Sequence, residues 1–335
     1  MFYFLMNFYQ YSNSIILKIN KRISNKLAKA FLLLLISPYI FLKFCFCKSY
    51  EQLIGCRIQK KRIAEDRKRQ FRYELGLVAI AKNEGKYIRE WIAYHLTACN
   101  MNTVIYLYDN DSTDNLKELV SDYIAKGYVV YKYFPGEQKQ LDAYEDAIVA
   151  YSSECRYLGF IDVDEFIYPP TGGDLIEIVK DIINKEPNAV GLGINWMIFG
   201  SSNKEVYEPK LVTERFTHHA QDDFWGNLHV KTICNPRFVS RFISCHYPLY
   251  HLGAWSINTE GKRQKLWYND PPTLDILRIN HYFGKSREEF EMKMKRGWAD
   301  QPGGYVDYSR YDEYDRNEVF DDGILSYVSD IKSMM

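Results

Sequence analysis

Residues 157–166, Tyr-Leu-Gly-Phe-Ile-Asp-Val-Asp-Glu-Phe, run from apolar side chains into alternating carboxylates. Read as a strand, 157–161 is buried and ends at an acidic edge. Strand alternation puts Asp162 and Asp164 on one side if the strand persists that far. Pro169 and Pro170 then stop the pattern. Toward the N-terminus, short apolar runs alternate with amphipathic stretches, predicting strands over 77–81, 103–108 and 128–133 and helices over 86–98, 115–126 and 138–151. This β-α-β-α-β-α-β order predicts an α/β fold with a mostly parallel sheet flanked by helices. In such sheets ligands bind beyond the carboxyl ends of the strands. Paired acids there suit a hard divalent cation that keeps water and phosphate oxygens as its other ligands.

Two more strand ends carry polar clusters. Asp109 and Asp111 follow the second strand, where carboxylates can accept hydrogen bonds from a base imide or ribose hydroxyls, while Asp114 reads as a helix cap. Lys82-Asn83-Glu84-Gly85 follows the first strand and by itself reads equally as a turn. No glycine-rich phosphate loop is present, which removes nicotinamide and P-loop chemistry. Beyond Pro169 the pattern loosens into aromatic-rich segments, and the last clear element is a basic amphipathic helix over 286–296.

The chain has 335 residues and 47% hydrophobic content, enough to fill a substantial core. Residues 1–75 hold 15 Lys/Arg and 4 Asp/Glu, and the remainder holds 28 and 39, so a basic segment precedes an acidic body. The acidic body disfavours nucleic-acid binding. Residues 30–47 form an apolar stretch interrupted by Pro38 and Lys43 and flanked on both sides by basic residues. That pattern predicts a helical extension, residues 1–70, lying on an anionic membrane surface at the cytoplasmic face, with both flanks on one side. Seven cysteines at 45, 47, 56, 99, 155, 234 and 245 show no paired short spacing, which disfavours zinc and disulfides and fits a reducing compartment.

Taken in order, KNE, Glu90-Trp91 with Tyr94-His95, YDNDSTD, QLDAYEDA (140–147) and FIDVDEF resemble glycosyltransferase family 92 and the related family-2-like enzymes. The resemblance continues through Trp196–Ser202, Glu214-Arg215-Phe216, His229-Val230-Lys231, Ile279–Ser286 and Glu288-Glu289-Phe290. It implies a GT-A-like, Rossmann-like domain over 71–300, with 76–168 as nucleotide-binding half, 169–300 as acceptor half and 301–335 as a C-terminal tail. The implied activity is transfer of galactose or another hexose, with inversion, from a nucleoside-diphosphate sugar, UDP-linked in the best-known members, to a glycan or lipid-linked glycan.

Mn²⁺ or Mg²⁺ would neutralise the leaving diphosphate. The implied metal ligands are Asp162, Asp164 and His281. Donor contacts would come from Asn83, Glu84, Asp109, Asp111, Gln140, Asp162 and Lys285. Trp196, Phe199 and Gly200 would offer a sugar surface. Inversion needs a base, for which Glu214 is chosen, with Asp222 and Asp223 as alternatives. The setting read from the extension is bacterial surface-glycan assembly at the inner membrane rather than the Golgi. A nucleotidyl- or phosphotransferase using the same carboxylates, and a non-catalytic glycan-binding protein, are the rival readings.

Overall fold

A computed structural model describes residues 54–296 and 308–335, with positions 38, 42, 45 and 49. The chain divides into two compact units, residues 1–62 with 252–254, and residues 63–251 with 255–335. In the first, Arg62 donates to Gln59 one helical turn earlier, 3.1 Å away. The interfacial segment expected over 30–47 lies, apart from three isolated positions, outside the described residues. Among the described residues no helix is long and apolar enough to cross a membrane. The cysteines at 45, 56, 99, 155, 234 and 245 are free thiols, three of them buried.

The second unit is built on a nine-stranded sheet. After helix α1 (Cys56–Asp66) come β1 (Tyr73–Ala81), α2 (Ile88–Ala98), β2 (Thr103–Asp109), the short helices α3 (Leu116–Leu119) and α4 (Ser121–Ala125), and β3 (Val129–Tyr133). Then follow α5 (Gln140–Tyr151), β4 (Cys155–Phe160), β5 (Glu165–Tyr168), α6 (Leu175–Asn184), β6 (Ala189–Ile198), α7 (Val212–Arg215), β7 (His218–His219) and β8 (Val230–Cys234). The chain continues with β9 (Val239–Ser244), β10 (Tyr247–Tyr250), β11 (Trp255–Ile257), β12 (Arg278–His281) and α8 (Arg287–Arg296). Beyond the undescribed residues 297–307 lie α9 (Ser309–Tyr314), β13 (Val319–Phe320) and α10 (Val328–Met334).

The main sheet runs β3-β2-β1-β4-β8-β6-β12-β5, with β11 beside β6. Strands β1 to β4 pair in parallel, as the alternating pattern predicts. The second half departs from it: β8 is antiparallel to both β4 and β6, and β5 is antiparallel to β12, so the sheet is mixed rather than mostly parallel. Only residues 161–164 connect β4 to β5, yet three strands lie between them. A flat sheet would ask this link to cover about 19 Å at ~4.8 Å per strand, while its five Cα steps reach about 17 Å. Curling brings β5 back toward the carboxyl end of β4, and the link that closes the curl carries Asp162 and Asp164.

Side chains alternate across this sheet into two cores. Leu77, Ala79 and Ala81 pack on one face with α2, whereas Val78 and Ile80 pack on the other with Ala143, Tyr144 and Ala147 of α5. Helix α2 also satisfies the outer edge of β5. Trp91 Nε1 donates to the Glu165 carbonyl at 2.8 Å, Tyr94 Oη donates to the Ile167 carbonyl at 2.8 Å, and the Ile167 amide donates to His95 Nε2 at 3.2 Å. Buried backbone groups need such partners, so the Trp91, Tyr94 and His95 pattern is a clamp on an edge strand. Burial pushes His95 down to about 3, which keeps it the neutral acceptor that this clamp requires. The expected tail contributes elements to this unit from Tyr308 onward: β13 pairs with β7, and Tyr123 Oη donates to the Met334 carbonyl at 3.0 Å.

Candidate functional site

Strand β4 ends at Phe160, and the link to β5 is a turn. The alternation expected through Asp164 therefore stops, and the two aspartates turn to different elements. Asp162 Oδ1 accepts from Gln140 Nε2 and Oδ2 from Lys231 Nζ, each at 2.8 Å. Asp164 Oδ2 accepts from Lys293 Nζ at 2.6 Å, and its Oδ1 faces His281 Nε2 at 3.6 Å. One acid is thus held by α5 and β8, the other by β12 and α8.

Burial drives the electrostatics of both halves. Burial works to raise the Asp164 carboxyl, but Lys293, His281 and Lys285 outweigh it and hold the group well below the usual carboxylate range. Asp164 is therefore a permanent anion at neutral pH. Glu165, fully buried, is pushed well above its ordinary value, chiefly by desolvation, and its Oε1 has no partner. Desolvation works to lower Lys231, and the adjoining Asp162 and Glu165 override it, so the ammonium stays charged.

His281 and Lys285 arrive from the segment that ends β12. The Tyr282 amide donates to the Asp164 carbonyl at 2.9 Å, which locks this segment to the acidic turn. Lys285 is buried with a left-handed backbone (φ 54°), and its ammonium lies 4.4 Å from the centre of the Tyr87 ring. Burial lowers its affinity for a proton, although Asp164 and Glu84 counter this. A cavity of about 600 Å³ opens beside these groups, lined by Asn83 to Tyr87, Asp114, Lys285, Glu289, Lys293 and Lys295 among others. Several ammonium groups on one concave wall suit a polyanion.

The polar clusters after β1 and β2 lace those two loops together. The Thr113 amide donates to Asn83 Oδ1 at 2.7 Å and the Gly85 amide to Asp114 Oδ2 at 2.7 Å. Asp109 accepts from the Ser112 amide at 2.9 Å and from Tyr131 Oη at 2.5 Å; Asp111 accepts from Tyr133 Oη at 2.5 Å and the Gly136 amide at 3.0 Å. These acids shape the loops that border the cavity. Glu84 lines it directly, and Asp114 turns a buried Oδ1 without a partner beside it.

Of the other candidates, Trp196 meets the ring of a member of this cluster, His281. Glu214 accepts from Lys332 Nζ at 2.6 Å and the Leu211 amide at 3.3 Å, contacts that tie α7 to α10. Its neighbour Arg215 faces Glu289 rather than Glu214, at 2.6 and 2.9 Å. Asp222 and Asp223 are exposed. Phe199 is packed against His219 and Tyr282 in the core, and a Cβ on Gly200 would meet the Arg316 carbonyl at 2.4 Å, so chain packing fills the space expected for a sugar there. Trp196 is buried too; it stacks on His229 and meets the His281 ring at a tilt.

Two contributors escaped the sequence reading of the site. Lys231 was detectable, because His229, in the extended residue just before β8, and Lys231 are two residues apart and so share a face. Lys293 was not, because it is one of several lysines on a basic helix.

For a divalent cation, the relevant observation is the buried His281 ring. Its Nδ1 has no partner, and its Nε2 stands 3.6 Å from Asp164 Oδ1 with no shorter contact between them. An imidazole nitrogen and a carboxylate oxygen around one point fit a cation that takes its remaining ligands from water and phosphate. Asp162 is committed to Gln140 and Lys231, and among the described residues no three His, Cys, Asp or Glu side chains gather into a fuller shell.

Comparison with known proteins adds a family. The family model described as glycosyltransferase family 92 matches residues 80–266, from the end of β1 past β11, leaving His281, Lys285 and Lys293 beyond the match. A glycosyltransferase family 92 protein of Ricinus communis is 28% identical over 146 residues, 43% of this chain and 26% of the relative. One of Arabidopsis thaliana is 31% identical over 115 residues, 34% of this chain and 19% of the relative. The match thus spans about a quarter or less of these relatives' length. Among solved structures, Staphylococcus aureus TarS in complex with UDP-GlcNAc overlaps at a TM-score of 0.33 and 15% identity, covering 49% of this chain and 46% of that one. The mannosyltransferase PcManGT of Pyrobaculum calidifontis, in complex with GDP-Man and Mn²⁺, overlaps at 0.30 and 10%, covering 44% and 45%.

Proposed function

The chain belongs to glycosyltransferase family 92, and from that premise we propose that it moves a hexose from a nucleoside-diphosphate sugar to a glycan hydroxyl, with the donor's diphosphate in the lysine-lined cavity beside Asp164. The observation that carries this reading is the meeting of Asp164, His281, Lys285 and Lys293 at one end of the curled sheet. Breaking a sugar–phosphate bond leaves a nucleoside diphosphate, and the developing charge must be met by fixed positive groups in a partly dry site.

Lys285 and Lys293 meet that charge as ammonium groups held at the cavity wall. Asp164 holds Lys293 by a hydrogen bond and its charge favours the Lys285 ammonium, and with His281 it would hold a Mg²⁺ or Mn²⁺ that supplies further Lewis-acid stabilisation. Lys231 and Gln140 fix Asp162, which supports the turn carrying Asp164. Glu84, on the loops laced by Asn83 and Asp114, lines the cavity, where a carboxylate can accept from sugar or ribose hydroxyls.

A donor screen tests the reading. The full chain, incubated with a panel of UDP- and GDP-hexoses in Mn²⁺ or Mg²⁺ and in chelator, should consume one donor and release free nucleoside diphosphate. Release of pyrophosphate would favour nucleotidyl transfer, and no consumption of any donor would argue for glycan binding without catalysis.

A further inference from the structure

The proposed transfer needs a group to accept the proton of the attacking hydroxyl. A row of rings leads from solvent to the acidic turn. Trp225 is 45% exposed; its ring centre lies 5.9 Å from that of His229. His229 stacks on Trp196 at 5.2 Å and 23°, Trp196 meets His281 at 4.3 Å, and His281 faces Asp164. His229 is half-buried and stands at the wet end of this row.

Its tautomer is set by a neighbour. His229 Nδ1 lies 3.3 Å from the Gly226 carbonyl, which can only accept, so the ring proton belongs on Nδ1 and the lone pair on Nε2. Lys231, two residues on and inside β8, reaches Asp162. The titratable and charged groups around the ring are few. His246, between β9 and β10, lies 5.6 Å away with its own Nδ1 at the Val230 carbonyl, His281 of β12 stands behind Trp196, and Lys231 follows on the strand. Burial lowers the His229 proton affinity, helped by His281 and opposed by the Gly226 hydrogen bond, and leaves the ring neutral at pH 7.

We propose that His229 is the base of the transfer, and that the Trp225 indole is the face on which the acceptor sugar ring stacks. The inference rests on the glycosyltransferase reading and goes beyond it by naming the proton acceptor and the acceptor subsite. In the step, the acceptor O–H proton passes to His229 Nε2 as the acceptor oxygen forms its bond to the anomeric carbon. The bond from that carbon to the diphosphate breaks, and its electron pair leaves on the nucleoside diphosphate. The imidazolium then returns its proton to water. A stacked indole offers an apolar face to the C–H side of a pyranose while leaving the hydroxyls free.

The experiment uses the full chain, the donor found by the screen, and a panel of methyl hexopyranosides as acceptors. His229→Asn keeps a donor for the Gly226 carbonyl but has no basic nitrogen; His229→Gln is the second variant. Both should lose transfer by about 10²- to 10⁴-fold in kcat, lose the acidic limb of the kcat/KM profile, and bind UDP or GDP as wild type does. Trp225→Ala should raise the acceptor KM with the donor KM unchanged. Transfer within tenfold of wild type with the acidic limb intact would overturn the proposal. Parallel loss of nucleotide binding in both variants would also overturn it, by assigning His229 to packing. A wild-type chain that consumes no donor would instead defeat the glycosyltransferase reading itself.

Discussion

At the scale of single residues, two aspartates one residue apart have different tasks. Asp162 is an anchor whose oxygens are both used by Gln140 and Lys231, and Asp164 is the anion that two lysines and a histidine surround. Its folded carboxyl ionises well below the unfolded value of 3.8, so its charge is present throughout the neutral range and is lost only as pH falls through that lowered value. Asp164→Asn removes the charge that pairs with Lys293 and favours the Lys285 ammonium. It should cost at least about 10²-fold in kcat, corresponding to roughly 2.7 kcal/mol or more of transition-state stabilisation. Steady-state donor turnover measures this, and a variant as active as wild type would remove Asp164 from the mechanism. The pair of acids was legible in the sequence, but their separation was not. Strand alternation predicts one shared face, whereas β4 stops at Phe160 and the turn sends Asp162 to Gln140 and Lys231, 22 and 69 residues away, and Asp164 to Lys293, 129 residues away.

At the scale of elements, the cavity wall depends on one buried ion pair. Arg215 of α7 and Glu289 of α8 are both 1% exposed at the side chain and meet through two hydrogen bonds, while Ser286 Oγ and Tyr87 Oη also donate to Glu289. Desolvation tends to raise Glu289, and the Arg215 bonds overcome it and keep the carboxylate charged. Truncation to Glu289→Ala would leave Arg215 buried without its anion, which costs about 3–5 kcal/mol in comparable settings. Denaturant unfolding should show a loss in that range; a change below about 1 kcal/mol would mean that other contacts hold α8 against the cavity. Strands β1 to β4 and helices α2 and α5 were readable because burial on both faces writes itself as short apolar runs bounded by amphipathic helices. Strands β5, β8 and β12 were not, because each is short and its partners are set by long-range pairing. No local pattern announces that β8 inserts antiparallel between β4 and β6. Similarly, Trp91, Tyr94 and His95 looked like part of a family signature, and their physical task is to hold the edge of β5.

At the scale of the molecule, curling of the mixed sheet brings the end of β4, the end of β12 and the start of α8 to one place. The sequence names Asp164, His281 and Lys285 through resemblance, while the reason they meet is a link too short to cross an uncurled sheet. In the proposed transfer, this meeting place takes the donor's diphosphate. Titration calorimetry tests it most directly, comparing UDP or GDP, as the donor screen selects, with the corresponding nucleoside on wild type and Lys285→Ala in Mn²⁺. The diphosphate should bind the variant at least tenfold more weakly, with nucleoside binding unchanged, since only the diphosphate meets the ammonium. Equal affinity of both proteins for the diphosphate would contradict it.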